Sequence, residues 1–346
     1  MSRAERTEAE TPEAETAEAK AAPAEAAPAE AAPAEAAQRH GHGHGHGHGH
    51  GHGQAVPRGP RNPLRTLGIL RSEIITVTLR RHRTYALLAV LAAVPVLIGI
   101  AVRIETGGGG PGGGAGGGSD GAGGPAFLTQ VTNNGLFLVF AALAATLPVF
   151  LPMAVGVVAG DAIAGEASAG TLRYLLVAPV GRTRLLLAKY ASVLAFCLVA
   201  TFVVAASALA VGALLFPVGE VTTISGTRIG FGEGLVRAAL TAAVVAASLV
   251  GFAALGLFVS TLTDSGIAAM AATIGLLITV QILDSIPQLS GIHPYLFPHH
   301  WMSFADVLRE PVHWDELAKN FQLQGAYAAV FGSAAWARFT TKDITA

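Results

Sequence analysis

Charge is what this sequence has little of. Lys, Arg, Asp and Glu make up only 13% of its 346 residues, against roughly 25% in soluble globular chains. Apolar residues make up 52%, and the mean hydropathy is +0.52. The deficit is uneven: residues 1–61 hold 15 of the 45 charged side chains, so the body from Asn62 onward is poorer still. That excludes an ordinary soluble domain and predicts an all-α polytopic membrane protein. The formal net charge of −1 leaves no electrostatic footprint for nucleic acid. Cys197 is the sole cysteine, so no internal disulfide can form. The first 60 residues contain no apolar core of a secretory signal peptide, and the first hydrophobic span is expected to act as an uncleaved insertion signal. No G-x-x-x-x-G-K-[ST], H-E-x-x-H or G-x-S-x-G occurs. The chain is therefore expected not to bind nucleotide through a P-loop.

What is present begins with a low-complexity tail, residues 1–61. Residues 21–37 read AAPAEAAPAEAAPAEAA, with proline at every fifth position. That spacing blocks a continuous helix and offers nothing to bury, so an extended, disordered segment is expected. Seven histidines alternate with glycine from His40 to Gly53. Imidazoles on such a chain can gather around Zn²⁺, Ni²⁺ or Cu²⁺, with His42, His44, His46 and His48 as candidates. No geometry is specified, so a repeat expansion or solvated linker is the favoured reading, with an appended tag as a further alternative.

Order is expected from Asn62-Pro63, an N-cap with proline at the first helical position. Leu64, Leu67, Leu70, Ile74 and Val77 recur at spacings of three and four, with Arg65, Arg71, Glu73 and Arg80 on other faces. This predicts an amphipathic helix lying among lipid headgroups just before the first span. Six spans are expected across residues 62–346, at about 85–102, 134–159, 185–216, 235–262, 267–284 and 323–337. Pro148 and Pro152 should kink the second, and the sixth is short of the ~20 residues that cross a bilayer. Asp161, Glu166, Asp264 and Asp284 fall at predicted span ends, leaving span interiors almost free of ionisable groups. That disfavours an ion-coupled secondary transporter.

Positive charge sets the expected orientation. With the N-terminus inside, Arg58, Arg61, Arg65, Arg71, Arg80, Arg81, Arg83, Arg173, Arg182, Arg184, Lys189, Arg338 and Lys342 are cytoplasmic. Only Arg103, Arg228, Arg237, Arg309 and Lys319 lie outside, a positive-inside bias that puts both termini in the cytoplasm. On the outer side, residues 106–124 form a flexible glycine connector. Residues 286–322 are rich in aromatics and proline, and Tyr295, Phe297, Trp301, Phe304 and Trp314 suit an interfacial belt or short helices dipping back. His293, His299, His300 and His313 include no pair at i, i+4 spacing, so no helical metal-ligand pair is expected among them.

On the cytoplasmic side, Gly165 and Gly170 bracket the start of a segment between spans 2 and 3. Thr171, Leu172, Leu175 and Leu176 are expected to form one or two helical turns with an apolar face, ended by Pro179 and Gly181. The residues leave two readings open: the leucines meet a protein partner, or they rest on the membrane while the arginines fix topology.

The run GDAIAGEASAGTLRYLLVAPVGRTRLLLAKY (160–190) resembles the GE-x3-G-T-L-R segment of ABC-2 type permeases, the membrane subunits of bacterial ABC exporters. The similarity extends to residues 64–83, to HPYLFPHHWMSFADVLREPVHW (293–314) and to ARFTTKDIT (337–345). It covers most of residues 62–346 and excludes the tail. The glycine connector, the tail and the short sixth span depart from the family pattern. The resemblance implies a transport subunit of the plasma membrane that contacts a separate ATP-binding subunit through the amphipathic segment and the loop after span 2. Gly165, Glu166, Gly170, Thr171, Leu172 and Arg173 would form the coupling loop. The chain itself would be non-catalytic and bind no cofactor, and ATP and Mg²⁺ would be used by the partner. Two permease chains, as homodimer or heterodimer, would enclose the path, and outer re-entrant helices would lie between spans 5 and 6. The Pro148/Pro152 kink would serve as a pivot. The alternative is a membrane scaffold or metal-handling protein acting through the His/Gly tail.

Overall fold

The computed structural model describes residues 82–107, 132, 134–170, 181–219, 221–222 and 228–341. The low-complexity tail, the amphipathic stretch carrying Leu64, Leu67, Leu70, Ile74 and Val77, and positions 171–180 lie outside the described residues. The apolar runs form helices, the one element that satisfies every backbone polar group within its own segment. They are α1 (His82–Gly107), α2 (Phe137–Thr146), α3 (Phe150–Ser168), α4 (Arg182–Leu215), α5 (Phe231–Ser248), α6 (Val250–Leu262), α7 (Gly266–Ser285) and α8 (Trp314–Thr341). A small antiparallel pairing, β1 (Val221–Thr222) with β2 (Arg228–Ile229), links α4 to α5. Three 3₁₀ turns, Pro287–Leu289, His293–Tyr295 and Trp301–Leu308, link α7 to α8.

Among the described residues, five stretches are long and apolar enough to cross a membrane: His82–Glu105, Phe150–Ser168, Arg182–Leu215, Phe231–Leu262 and Gly266–Ser285. The bundle has two ends. At the near end Arg83 meets Asp161, Glu166 meets Lys189, and Arg182 donates to the Thr340 carbonyl at 2.8 Å, so α1 and α4 begin where α3 and α8 finish. At the far end Arg103 donates to the Leu215 carbonyl, and the Gly135 amide to Pro217 at 3.0 Å. The described chain thus runs the length of the bundle in six legs: α1, α2 with α3, α4, α5 with α6, α7 and α8.

The second leg departs from expectation. It is broken at Leu147–Val149, and its second part continues to Ser168 rather than stopping near residue 159. Pro148 has no amide to continue α2. Pro152 likewise offers none to the Pro148 carbonyl four residues back, and the Gln281 side-chain amide of α7 donates to that carbonyl instead. Beyond the break, Gly156 and Gly160 bring α3 onto α7: a Cβ at Gly160 would lie 2.9 Å from the Met270 backbone. Small residues at i, i+4 allow the close helix approach that association in lipid depends on.

The last leg also differs. α8 has 28 residues, about 42 Å at 1.5 Å per residue, so the apolar stretch at 323–337 is one part of a longer helix. Its polar residues are partly internal. Buried Asn320 donates to Ser248 Oγ at 2.6 Å, and buried Gln324 donates to the Phe297 carbonyl at 2.8 Å. These bonds join α8 to the α5–α6 junction and to the far-end turns.

The aromatic far-end segment is only partly an interfacial belt. Tyr295 and Trp314 are 72% and 61% exposed, but Phe297, Trp301 and Phe304 are core residues. Phe297 packs on Phe252, with ring centroids 5.3 Å apart, and Trp301 meets both rings. Their burial anchors the turns to α6.

Candidate functional site

The sequence-predicted coupling residues gather at the near end. α3 terminates at Ala169, and Gly170 follows at φ +68°, the left-handed conformation that glycine adopts without strain as a helix stop. Gly165 and Glu166 are therefore the last turn of α3, not part of a loop. Thr171, Leu172 and Arg173 follow directly and lie outside the described residues.

Asp161 and Glu166, expected beyond the span, sit inside α3. Asp161 is seven residues, about 10 Å, from the helix end. These acids are tolerated inside a helix because each is paired. Glu166 binds Lys189 of α4, and both side chains are nearly shielded from solvent, at 12% and 3% exposure. Asp161 Oδ2 lies 3.4 Å from Arg83 Nη1 of α1, and the other guanidinium nitrogen lies 3.4 Å from Met270 Sδ of α7. A void of about 30 Å³, room for one or two waters, lies beside them; Arg83, Asp161 and Lys189 line it.

Ser260 of α6 contributes a third fastening. Its Oγ accepts from the Ile163 and Ala164 amides, at 3.0 and 2.9 Å, and donates to the Gly160 carbonyl at 2.6 Å. A side chain from a neighbouring helix thus enters the backbone ladder of α3 one turn before Glu166, a recognised cause of local bending. Gly266 of α7 is the fourth. A Cβ there would fall 2.6 Å from Asp161 Oδ1 and 3.1 Å from the Gly165 Cα, while Ser265 caps the α7 N-terminus. The last two turns of α3 are therefore tied to α1, α4, α6 and α7. Between α1, α3 and α7 opens a cavity of about 560 Å³, bordered by His82, Arg83, Asp161, Gly165, Ser168 and Met270. The start of α4 is tied in turn to α8, where Trp336 Nε1 donates to Thr183 Oγ1 at 3.0 Å.

The near end is thus a set of ion pairs, hydrogen bonds and close backbone approaches that converge on the end of α3. Sequence reasoning located the acids and missed their partners, because Lys189 and Arg83 stand far away in the chain and only packing brings them in.

Residues 121–345 match a family described as "Protein of unknown function (DUF2705)". The chain belongs to the DUF2705 family. The matched segment takes in α2 to α8, and with them every near-end residue named above except His82 and Arg83 of α1. No curated protein matches the chain.

A second cluster, not expected from spacing, lies at the far end. Asp284 of α7, His293 and His299 each present one ligand-type atom, and the three atoms lie within 4.8 Å of one another. The histidines are six residues apart, a separation that no helix brings together but that the proline-bounded 3₁₀ turns do. The tail candidates His42, His44, His46 and His48 lie outside the described residues.

Proposed function

We propose that this DUF2705 protein is the permease subunit of an ATP-driven ABC exporter in a bacterial plasma membrane. Six crossings put both termini on the cytoplasmic side, with the near end facing the cytoplasm. A separate ATP-binding subunit, using ATP and Mg²⁺, engages the segment after α3, and a second permease chain completes the path. The chain itself performs no catalysis. The observation that carries this reading is the fastening of the α3 terminus to four helices directly before Thr171, Leu172 and Arg173. A partner that closes on those residues would move the whole near end.

Two further features support it. The α1 and α7 spans are only 22% buried, against 72% for α5–α6, so they offer the faces for a second chain or for lipid. The near-end acids are paired with basic side chains within two to three turns of the helix end, rather than standing as proton-relay groups at mid-membrane.

Glu166 is a poor residue with which to test coupling, because replacing it removes the carboxylate that buried Lys189 binds. Arg173→Ala, with Glu166 intact, is the cleaner change. It is expected to weaken ATPase association in mild detergent while membrane insertion and thermal stability stay as in the parent. Full ATPase recovery with Arg173→Ala would remove the coupling role from this segment.

A further inference from the structure

We propose that Asp284, His293 and His299 form a binding site for a divalent first-row transition ion, of which Zn²⁺ is the type, clipping the far-end turns to α7. The donor set is two imidazoles and a carboxylate, the ligands that borderline ions such as Zn²⁺ take when a fourth position is left to water. Their ligand atoms already lie within 4.8 Å of one another. Zn–N and Zn–O bonds of about 2.0–2.2 Å place tetrahedral ligand atoms roughly 3.4 Å apart, so closure takes side-chain shifts of about an ångström, not a refolding.

The surroundings are those of a prepared site. His293 Nε2 is 3.0 Å from the Ile286 carbonyl, which can only accept, so that nitrogen carries the proton and Nδ1 is left with its lone pair. A backbone carbonyl fixing the tautomer in this way is the usual outer support of a metal-bound histidine. His299 Nδ1 already sits 2.8 Å from Asp284 Oδ1, and the His293 and His299 rings are 5.7 Å apart. Asp284 is the penultimate residue of α7, where the helix dipole disfavours a carboxylate and favours a cation. All three residues are partly accessible, so an ion can enter from solvent. The two histidines stand on a segment held by Pro294 and Pro298 and anchored beneath by buried Phe297 and Trp301. Neighbouring His300 is directed elsewhere, with Nδ1 3.6 Å from Glu316 Oε2.

The tail histidines would bind the same ions, so the test uses the full chain with His40, His42, His44, His46, His48, His50 and His52 all changed to Asn. This protein is expected to retain one equivalent of Zn²⁺ after desalting and to melt at higher temperature with Zn²⁺ than with chelator. Asp284→Asn, His293→Gln and His299→Gln should each weaken binding about tenfold or more, while His313→Gln should leave it unchanged. Co²⁺ in the unaltered site should give the intense visible bands of a four-coordinate nitrogen–oxygen site. Absence of the Zn²⁺ equivalent overturns the proposal, and so does undiminished binding in the His293 and His299 variants. Should those variants fail to fold, the Co²⁺ spectrum decides: the weak bands of the six-coordinate aqueous ion overturn it. The remaining outcome, a plain Asp284–His299 hydrogen bond, is then the whole role of the cluster.

Discussion

At the residue scale, the near end depends on two side chains that would be liabilities alone. Lys189 is 3% exposed, and a buried ammonium without its carboxylate is strongly destabilising. Glu166→Ala is therefore expected to destabilise the protein by about 3–5 kcal/mol, seen as a large fall in melting temperature in detergent. Replacing both partners, Glu166→Leu with Lys189→Met, should restore most of that loss, because the pair's Coulomb gain largely offsets its own desolvation. A double variant as unstable as Glu166→Ala would show that the site needs the charges themselves. This pairing also explains where the sequence misleads. A Glu in an otherwise apolar run reads as the end of a span, and nothing local reveals a lysine 23 positions on that lets the helix continue past it.

At the scale of elements, α3 is defined by what interrupts it and by what it can approach. Pro148 and Pro152 were legible as a disturbance. The full break was not, because it is completed by Gln281, 133 positions downstream of the carbonyl it satisfies. The GxxxG pair Gly156–Gly160 gives a sharper test. Gly160→Leu drives a side chain into the Met270 backbone and is expected to separate α3 from α7, lowering the melting temperature substantially. Gly275→Ala, on the same α7 but with nothing within 4 Å of the added methyl, should be neutral or stabilising, by up to about 1 kcal/mol. Equal effects from the two substitutions would contradict the packing described for these helices. α8 teaches the complementary lesson. Asn320 and Gln324 lower its hydropathy enough to make it read as a weak span, yet both point inward to partners on α5 and at Phe297. Hydropathy counts a polar residue as a cost whether or not its hydrogen bonds are met. Phe297 and Trp301 fail in the opposite sense: aromatics near an expected interface read as a belt, and the structure uses them as core.

At the scale of the whole molecule, the two ends differ in kind. The far end is braced by Arg237, which reaches Glu233 at 2.8 Å and Glu310 at 3.0 Å, and by the aromatic anchor under the 3₁₀ turns. The near end instead converges on one helix terminus and opens a cavity beside it. The charge bias that orients the chain rests chiefly on arginines at 58–81 and 173, outside the described residues, so orientation belongs with the proposed function rather than with the fold. That function makes the near end the receiver of ATP-driven motion and the chain incomplete without its partner. The most direct measurement is affinity purification of the full chain from its own membranes in mild detergent, with mass-spectrometric identification of co-purifying chains and an assay of ATP hydrolysis. The account predicts a stoichiometric partner bearing a P-loop, with Mg²⁺-dependent ATPase activity in the purified complex. A chain that purifies intact and folded with no P-loop protein, and whose transport persists without ATP, would contradict it.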